Sequence, residues 1–465
     1  MATVAVIGGG LAGLTAAHAV RAEGHEVQVL ESGSEAGGVI RSVREGGFLA
    51  DLGPNSMMVP PPLVMSLFAD LSLMAERVDA NPLARRRYVV RNGRPCAVPG
   101  SPLSLLTTPL LSFGAKLRLV TEPFRRVPPP ATEESLSELV RRRLGQEVVD
   151  YLLNPVAAGV YAGDPDHLSA AHAMPSIGAL EARYGSLVGG GIKMMKGRNH
   201  SSGEPEGRLF SFRDGMAAIP RALARRLGPA LRLNARVTRI AAAGRGWSVT
   251  STGSSGSVTR HVDAVICAAP THVFPQVEFV GEAEAQWEAL AGVRYAPVAV
   301  VVSGFARGDV EHPLDGFGVL VPEVERGQTL GTLFSSTLFP GRAPDGFVTL
   351  TTFLGGERRP DIARSSEATI AAEADADLQR LLGARGTPAF RRVEKYARAI
   401  PQYEVGYGRI QEAGDMLERA NPGFVLAGSH RNGVAISDVM MSGLLAAQET
   451  CATLGPARTV TAVAG

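Results

Sequence analysis

A chain of 465 residues exceeds what one hydrophobic core ordinarily holds, so two or three domains are expected. Hydrophobic content of 45% and charged content of 20% describe a globular protein with a substantial interior; a net charge of +2 without a basic tail argues neither for nor against nucleic acid, and no nucleic-acid partner is expected. The three cysteines, Cys96, Cys267 and Cys451, are widely spaced and lack any C-x-x-C, which argues against a disulfide framework or zinc site and reads as reduced thiols in a cytoplasmic protein. Residues 1–20 show no basic region followed by a cleavage site, and no apolar run is long enough for a transmembrane helix.

The chain begins with a β-branched run, Val4-Ala5-Val6-Ile7, followed by Gly8-Gly9-Gly10-Leu11-Ala12-Gly13 and an Ala-rich helical pattern. A strand feeding into G-x-G-x-x-G and a helix is a dinucleotide fingerprint. Gly8 serves the tight turn, Gly10 the close approach of a pyrophosphate and Gly13 the packing of helix on strand, while the helix start offers free N–H groups to the phosphates. A second strand, Val27 to Leu30, ends in Glu31, placed to hold a ribose hydroxyl. Next come Gly37-Gly38-Val39-Ile40-Arg41 and Phe48 to Ser56, where a nicotinamide enzyme would continue into further βαβ units. The glycine pair and arginine read either as a turn with a surface charge or as a second phosphate contact. On these residues the segment resembles the amine-oxidase-type FAD superfamily, which implies FAD as the cofactor.

Further along, the cofactor domain is expected to be discontinuous, from 1–90, 207–270 and 420–453. Leu231 to Ile240 alternates as one strand, Trp247 to Thr250 forms another before a Gly/Ser turn at 252–257, and Val262 to Pro270 is an apolar run suited to a strand covered on both faces. Gly423 to Gly428 and a helix from about Asp438 complete it. Residues 95–205 form a helical insertion punctuated by Pro99, Pro102, Pro109 and Pro128-Pro129-Pro130. Within it, 103–124 is unusually apolar (Leu103, Leu105, Leu106, Leu110, Leu111, Phe113, Leu117, Leu119, Val120, Phe124), beside Lys116, Arg118, Arg125 and Arg126. This stretch reads as a buried helical hairpin or as an interfacial patch on a bilayer. Residues 271–419 with 86–94 form the substrate domain, whose strands near 297–302, 318–321, 330–334 and 347–353 predict a mostly antiparallel sheet. Alternation leaves Leu320, Leu333 and Phe353 free to line an apolar cleft, and 361–390 looks helical. The fold class expected is α/β with α+β: a Rossmann-like FAD-binding domain, an antiparallel-sheet substrate domain and a helical, membrane-associated insertion.

From Val4 to about Ala447 the chain resembles the oxygen-dependent protoporphyrinogen oxidase family. The strings that carry the resemblance are Gly53-Pro54-Asn55-Ser56, Arg87-Tyr88 before Asn92-Gly93, Ala158 to Pro165, Leu168-Ser169, Gly185-Ser186-Leu187, Gly316 to Pro322, Gly331 to Ser336 and Gly433 to Asp438 with Ser442-Gly443. His430 departs from the family's aromatic in the Gly428-Ser429-His430 loop, and Val439-Met440 depart from its cysteine-containing string. The resemblance implies FAD contacts at Gly8, Gly9, Gly10, Leu11, Ala12, Gly13, Glu31, Ser32, Gly38, Val39, Arg41, Gly53, Pro54, Asn55, Ser56, Val237, Val434, Ala435 and Ile436. It implies a porphyrinogen in an apolar slot, with Phe317 in its lining, Leu320 and Leu333 on one side and Phe353 on the other. Plain core packing is the alternative reading of these side chains.

Arg87 matches the position that meets a propionate, against the alternative of a solvated charge in Arg85-Arg86-Arg87, and Arg91 suits the role less well. Gly159 matches a glycine whose backbone lies against the substrate, or else a tight turn needing positive φ. The implied reaction is six-electron oxidation of protoporphyrinogen IX by hydride transfer to the flavin, with O2 as acceptor and H2O2 as product, in haem biosynthesis. No catalytic base, nucleophile arrangement or metal-ligand spacing is assigned, and His172 reads as a lone histidine. A coproporphyrinogen oxidase, a flavin amine oxidase lacking its usual aromatic cage, and a flavin- or porphyrin-binding carrier are the other readings. Peripheral contact with the cytoplasmic face of a membrane and a homodimer are further expectations.

Overall fold

Val4, Val6 and Ile7 are almost wholly removed from solvent, as a strand covered on both faces demands. They lie in strand Thr3–Ile7, the centre of a five-stranded parallel sheet in a computed structural model that describes residues 1–100, 102–125, 127–128, 130–198, 209–254 and 256–455. The order across this sheet is Leu231–Arg232, Glu26–Leu30, Thr3–Ile7, Ala264–Cys267 and Phe424–Leu426. Val4 and Val6 face helices Leu11–Ala22, Ala218–Leu227 and Ile436–Leu454, while Ala5 and Ile7 face a second core around Trp247, Phe274 and Trp287. Strands from three separated parts of the chain thus build one cofactor sheet. The expected boundary at residue 207 and the end of the 95–205 insertion fall outside the described residues.

The alternating run 231–240 is two strands rather than one. Leu231–Arg232 completes the parallel sheet, and Arg236–Ala243 belongs to a separate four-stranded sheet with Gly246–Gly253, Gly256–Val262 and Glu278–Val280. The break lies at Asn234, whose φ of 53° is left-handed. Asparagine tolerates that conformation, so the polar–apolar alternation carries no sign of the bend. The C-terminal helix starts at Ile436, two residues before the expected Asp438.

The third sheet has seven strands, ordered Phe390–Pro401, Tyr295–Ala306, Phe347–Gly355, Thr329–Leu333, Gly316–Leu320, Arg86–Arg91 and Arg94–Ala97. Its neighbours are antiparallel except for Gly316–Leu320 with Arg86–Arg91, which run parallel. One face carries Ala299 and Val301 against helices Pro360–Arg364 and Glu367–Leu382; the other carries Val298, Val300 and Val302 against Phe48, Ala50 and Ala158. The expected helical segment 361–390 ends at Leu382, capped by Gly383 in a left-handed conformation. The long strand beyond it, rich in Arg, Lys and Glu, has little of the apolar alternation that marks a strand.

Helices of the insertion pack around Leu110, Leu111, Leu119, Leu136, Leu139 and Leu153. A buried ion pair ties them together: Arg143 and Glu122 are each 1% exposed and 2.6 Å apart, and Glu122 also accepts from the Ser186 hydroxyl and the Leu187 and Val188 N–H groups. The described apolar side chains of 103–124 divide between core and surface. Leu110, Leu111 and Leu119 are core, whereas Phe113 is 80% and Phe124 84% exposed, with Leu117 and Val120 also open. Arg126, Pro129 and the side chains of Leu103 and Leu106 lie outside the described part. Among the described residues no helix is long and apolar enough to cross a membrane.

Candidate functional site

The turn after Thr3–Ile7 is built by backbone contact. Gly8 has φ +101°, and its N–H donates to the Leu30 carbonyl at 2.9 Å. A Cβ on Gly13 would lie 2.0 Å from the Gly8 oxygen, so only glycine lets the helix sit this close. Gly10 differs: it is the N-cap of Leu11–Ala22, without a side-chain cap, and a Cβ there would meet nothing within 4 Å. Open space therefore lies before the free N–H groups of the first turn, the place for a phosphate.

Helix Ile436–Leu454 packs against the same helix so tightly that a Cβ on Gly443 would lie 2.3 Å from the Ala12 oxygen. Each helix follows a strand of the parallel sheet, so both N-termini emerge at its carboxyl edge. The second N-cap, Ala435, also lacks a side-chain cap, and Val434 precedes it half-buried while Ile436 turns into the core.

Glu31 closes one end of the cradle, accepting from the Gly9 and Gly33 N–H groups at 2.6 Å each and from the Ser32 hydroxyl at 3.3 Å. Gly37 and Gly38 are not an isolated turn. The Gly37 N–H donates to the Gly9 oxygen at 2.8 Å, and a Cβ on Gly38 would lie 3.6 Å from the Gly10 Cα. The following turn is equally close, since a Cβ on Gly53 would lie 2.1 Å from the Val39 oxygen. Asn55 is buried and donates to the Gly53 carbonyl at 2.8 Å, so its side chain braces this loop, between the half-exposed Pro54 and Ser56. Val237 has its side chain in the core beside Ile7 and Leu30, which leaves only its backbone for a ligand.

The substrate-side residues come together on one face of the seven-stranded sheet. Strand register aligns Glu394, Val300, Phe353, Gly331, Leu320 and Val89 in one row, and Arg392, Val302, Thr351, Leu333, Gly318 and Arg87 in the next. Paired residues share a face, so Arg87, Leu320, Leu333 and Phe353 all point the same way. Phe353 does not stand opposite Leu320 and Leu333, as expected of a slot with two sides: all three share one sheet face, with Leu333 on the strand between the other two and one row along. Leu320 leans across Gly331 towards helix Asn154–Tyr161, with its Cδ2 3.3 Å from where a Cβ on Gly159 would be. Gly159 itself is exposed and helical, not the positive-φ turn of the alternative reading.

Solvent contact separates these positions from ordinary core. Within Gly316–Leu320, Thr329–Leu333 and Phe347–Gly355, the partly exposed residues apart from the strand end Phe347 are Phe317, Leu320, Leu333 and Phe353. Their neighbours are buried. At the end of the second row Arg87 is exposed, its guanidinium 5.6 Å from the Phe317 ring centroid. A bulge between Gly316 and Gly318 inserts Phe317 at this point and turns its ring beneath the cation. Arg91 is committed elsewhere, paired with Glu147 at 2.6 Å and lying over Tyr151.

The first row leads directly to the cofactor turns. Glu394 lies 3.5 Å from the Arg41 guanidinium, and the Tyr396 hydroxyl, on the same strand, donates to the Val39 carbonyl at 3.3 Å. These two contacts had no signature in the sequence.

Three other groups are engaged within the fold. His172 lies half-buried, 3.9 Å from Glu133 in the insertion. His430 is buried against Gly428 and the edge of Phe274, and burial, with the Arg431 charge, pushes its imidazole down to about 3, so it is neutral. Tyr161, Tyr403 and Tyr407 cluster, but their hydroxyls donate to the carbonyls of Ala173, Ser429 and His430, which makes them packing rather than an open aromatic cage.

Residues 11–451 match the family described as flavin containing amine oxidoreductase. The chain is 36% identical over 471 residues to protoporphyrinogen oxidase 2, chloroplastic/mitochondrial, of Arabidopsis thaliana, covering 96% of this chain and 92% of that one. It is 27% identical over 475 residues to coproporphyrinogen III oxidase of Bacillus subtilis (strain 168), covering 96% and 97%. A crystal structure from Exiguobacterium sp. 255-15 superposes with a TM-score of 0.82 at 22% identity, over 97% of this chain and 99% of that one. Wild-type putrescine oxidase superposes at 0.69 and 17%, over 97% and 99%. These two likenesses show the fold, and the cofactor is FAD.

The two helix glycines should fail differently. Gly10→Ala is expected to fold, because its methyl meets no protein atom, yet to lose flavin as the methyl enters the phosphate space. Gly13→Ala is expected to disrupt the fold itself. Far-ultraviolet circular dichroism with flavin absorbance of the purified proteins checks both, and wild-type flavin content in Gly10→Ala would contradict the cradle.

Proposed function

The chain belongs to the flavin containing amine oxidoreductases and, within them, to the protoporphyrinogen oxidase family, and from that premise we propose that it oxidises protoporphyrinogen IX to protoporphyrin IX. In this reading O2 is the electron acceptor and H2O2 the second product of a six-electron reaction in haem biosynthesis. Porphyrinogen oxidation as a class is common to its relatives of both kinds. The observation that carries the reading is the partly exposed set Phe317, Leu320, Leu333 and Phe353 on a sheet face that continues to the cofactor turns. A flat macrocycle laid there removes apolar surface from water on both partners.

When bound, FAD supplies the acceptor for the hydride leaving the porphyrinogen. The chain's own residues position the substrate: the apolar face holds the rings and excludes water, and Arg87 takes a propionate. Among Arg41, Arg86, Arg87 and Arg91, Arg87 alone lacks a carboxylate partner, since Glu394, Asp315 and Glu147 occupy the others. The greater likeness to a protoporphyrinogen oxidase, 36% identity against 27%, favours protoporphyrinogen over coproporphyrinogen. Proton transfer is left to solvent and substrate, with no side chain assigned as base.

The second part of the proposal concerns the insertion. Phe113, Leu117, Val120 and Phe124 recur at helical spacing and are all exposed, so together they form an apolar stripe suited to the surface of a membrane. Arg125, exposed beside it and held by one long bond of 3.5 Å to the Arg143 carbonyl, would meet headgroups; Arg118, partly buried, donates at 3.0 and 3.2 Å to the Arg141 and Arg142 carbonyls.

Arg87→Ala should raise KM for protoporphyrinogen with little change in kcat, by roughly 1.5–3 kcal/mol if a charged hydrogen bond is lost. Steady-state porphyrin fluorescence assays check this, and an unchanged KM would remove Arg87 from the site. Run with both porphyrinogens, the same assay should give the higher kcat/KM for protoporphyrinogen; the reverse order would favour the coproporphyrinogen reading. For the stripe, Phe113→Asp with Phe124→Asp should abolish sedimentation with anionic vesicles while leaving flavin content intact. Binding equal to wild type would reject the patch.

A further inference from the structure

Arg87 sits in a run of three arginines, and something must decide which of them faces the slot. Strand alternation sends Arg86 and Tyr88 to the opposite face from Arg87. Both reach one carboxylate: the Arg86 guanidinium pairs with Asp315 Oδ2, and the Tyr88 hydroxyl donates to Asp315 Oδ1 at 2.6 Å. The Tyr88 hydroxyl and the Arg86 guanidinium hold the Asp315 carboxyl below its usual range, against partial burial. Tyr88 also packs perpendicular to the His312 ring, with ring centroids 5.1 Å apart.

This strand pair differs from its neighbours in the sheet. Arg86–Arg91 and Gly316–Leu320 run parallel, with Arg86 and Asp315 229 positions apart in sequence. No hairpin therefore sets their register. The backbones also approach closely, a Cβ on Gly316 lying 2.5 Å from the Arg86 oxygen, and the register shifts at the Phe317 bulge. A slip of one residue would carry Arg87 to the far face and present Arg86 or Tyr88 to the slot. Asp315, at the entrance to Gly316–Leu320, holds both residues flanking Arg87.

We propose that Asp315 is a positioning residue for substrate recognition: by holding Arg86 and Tyr88 together on the far face, it fixes strand register so that Arg87 and Phe317 meet at the slot. The inference rests on the assignment of Arg87 to a substrate carboxylate. Asp315 contacts Arg86 and Tyr88, not Arg87, so its effect passes through the placement of the guanidinium.

The test is a double-mutant cycle on the FAD-loaded enzyme with Arg87→Ala and Asp315→Asn, assayed on protoporphyrinogen and on its dimethyl ester, which has no carboxylate to recognise. Asp315→Asn is expected to raise KM for the free acid by about five-fold or more with kcat nearly unchanged. It should add little to the KM of Arg87→Ala and leave the ester's KM at the wild-type value. Equal increases in KM with and without Arg87, or equal losses on acid and ester, would overturn the proposal by showing a general structural effect. An unchanged KM in Asp315→Asn, with Arg87→Ala impaired, would overturn it alone; an unchanged KM in Arg87→Ala would overturn the substrate assignment as well. Should Asp315→Asn fail to fold, Tyr88→Phe, which keeps the Arg86 pair and removes one of the two holds, is read by the same criteria.

Discussion

Helix Leu11–Ala22 is gripped between backbones. On one side Gly13 admits the Gly8 carbonyl, and on the other Gly443 of the C-terminal helix presses on the Ala12 carbonyl, each approach too close for any Cβ. That double contact brings two helix N-termini, neither closed by a side chain, to the same edge of the parallel sheet. Their free N–H groups and dipoles make that edge the natural seat of a diphosphate and of the polar edge of a flavin. The cofactor domain can be interrupted twice in sequence because this contact, made between the first and last parts of the chain, reassembles it.

The second domain is tied to that seat by polar contacts and small steric allowances. Glu394 and Tyr396 lie on the sheet face that carries Phe353 and Leu320, and they reach Arg41 and Val39 of the turn stacked on Gly10. This sheet face and the cofactor turns are consequently registered through one strand, Phe390–Pro401. A substrate on this face, as proposed, would be held at a fixed relation to the cofactor, the arrangement expected where the cofactor carries the difficult step.

How much of this was legible in sequence depended on how local each signal is. The strand, glycine turn and Glu31 were legible because a few adjacent residues enforce each of them. Phe317, Leu320, Leu333 and Phe353 are named from the sequence as candidates, but their partial exposure together and the place of Leu333 on the strand between Leu320 and Phe353 follow only from strand order. Asn234 hid a break because its side chain suits both strand alternation and a left-handed bend. Phe390–Pro401 hid as a strand because its charges serve contacts such as Arg41 with Glu394, 353 positions apart. In the insertion, hydrophobicity alone could not separate buried Leu110 and Leu111 from exposed Phe113 and Phe124; that required the phase of the helix. Asp315 was illegible for the same reason as Glu394, since its partners come from a parallel strand far away in the chain.

The central claim is that the slot delivers a porphyrinogen to the flavin as an electron donor. Its most direct measurement is an anaerobic titration of the purified yellow protein with protoporphyrinogen IX, followed by flavin absorbance. The account predicts stoichiometric bleaching of the flavin band, with colour restored on admitting oxygen. A flavin band unmoved by excess porphyrinogen in folded, FAD-loaded protein would contradict it.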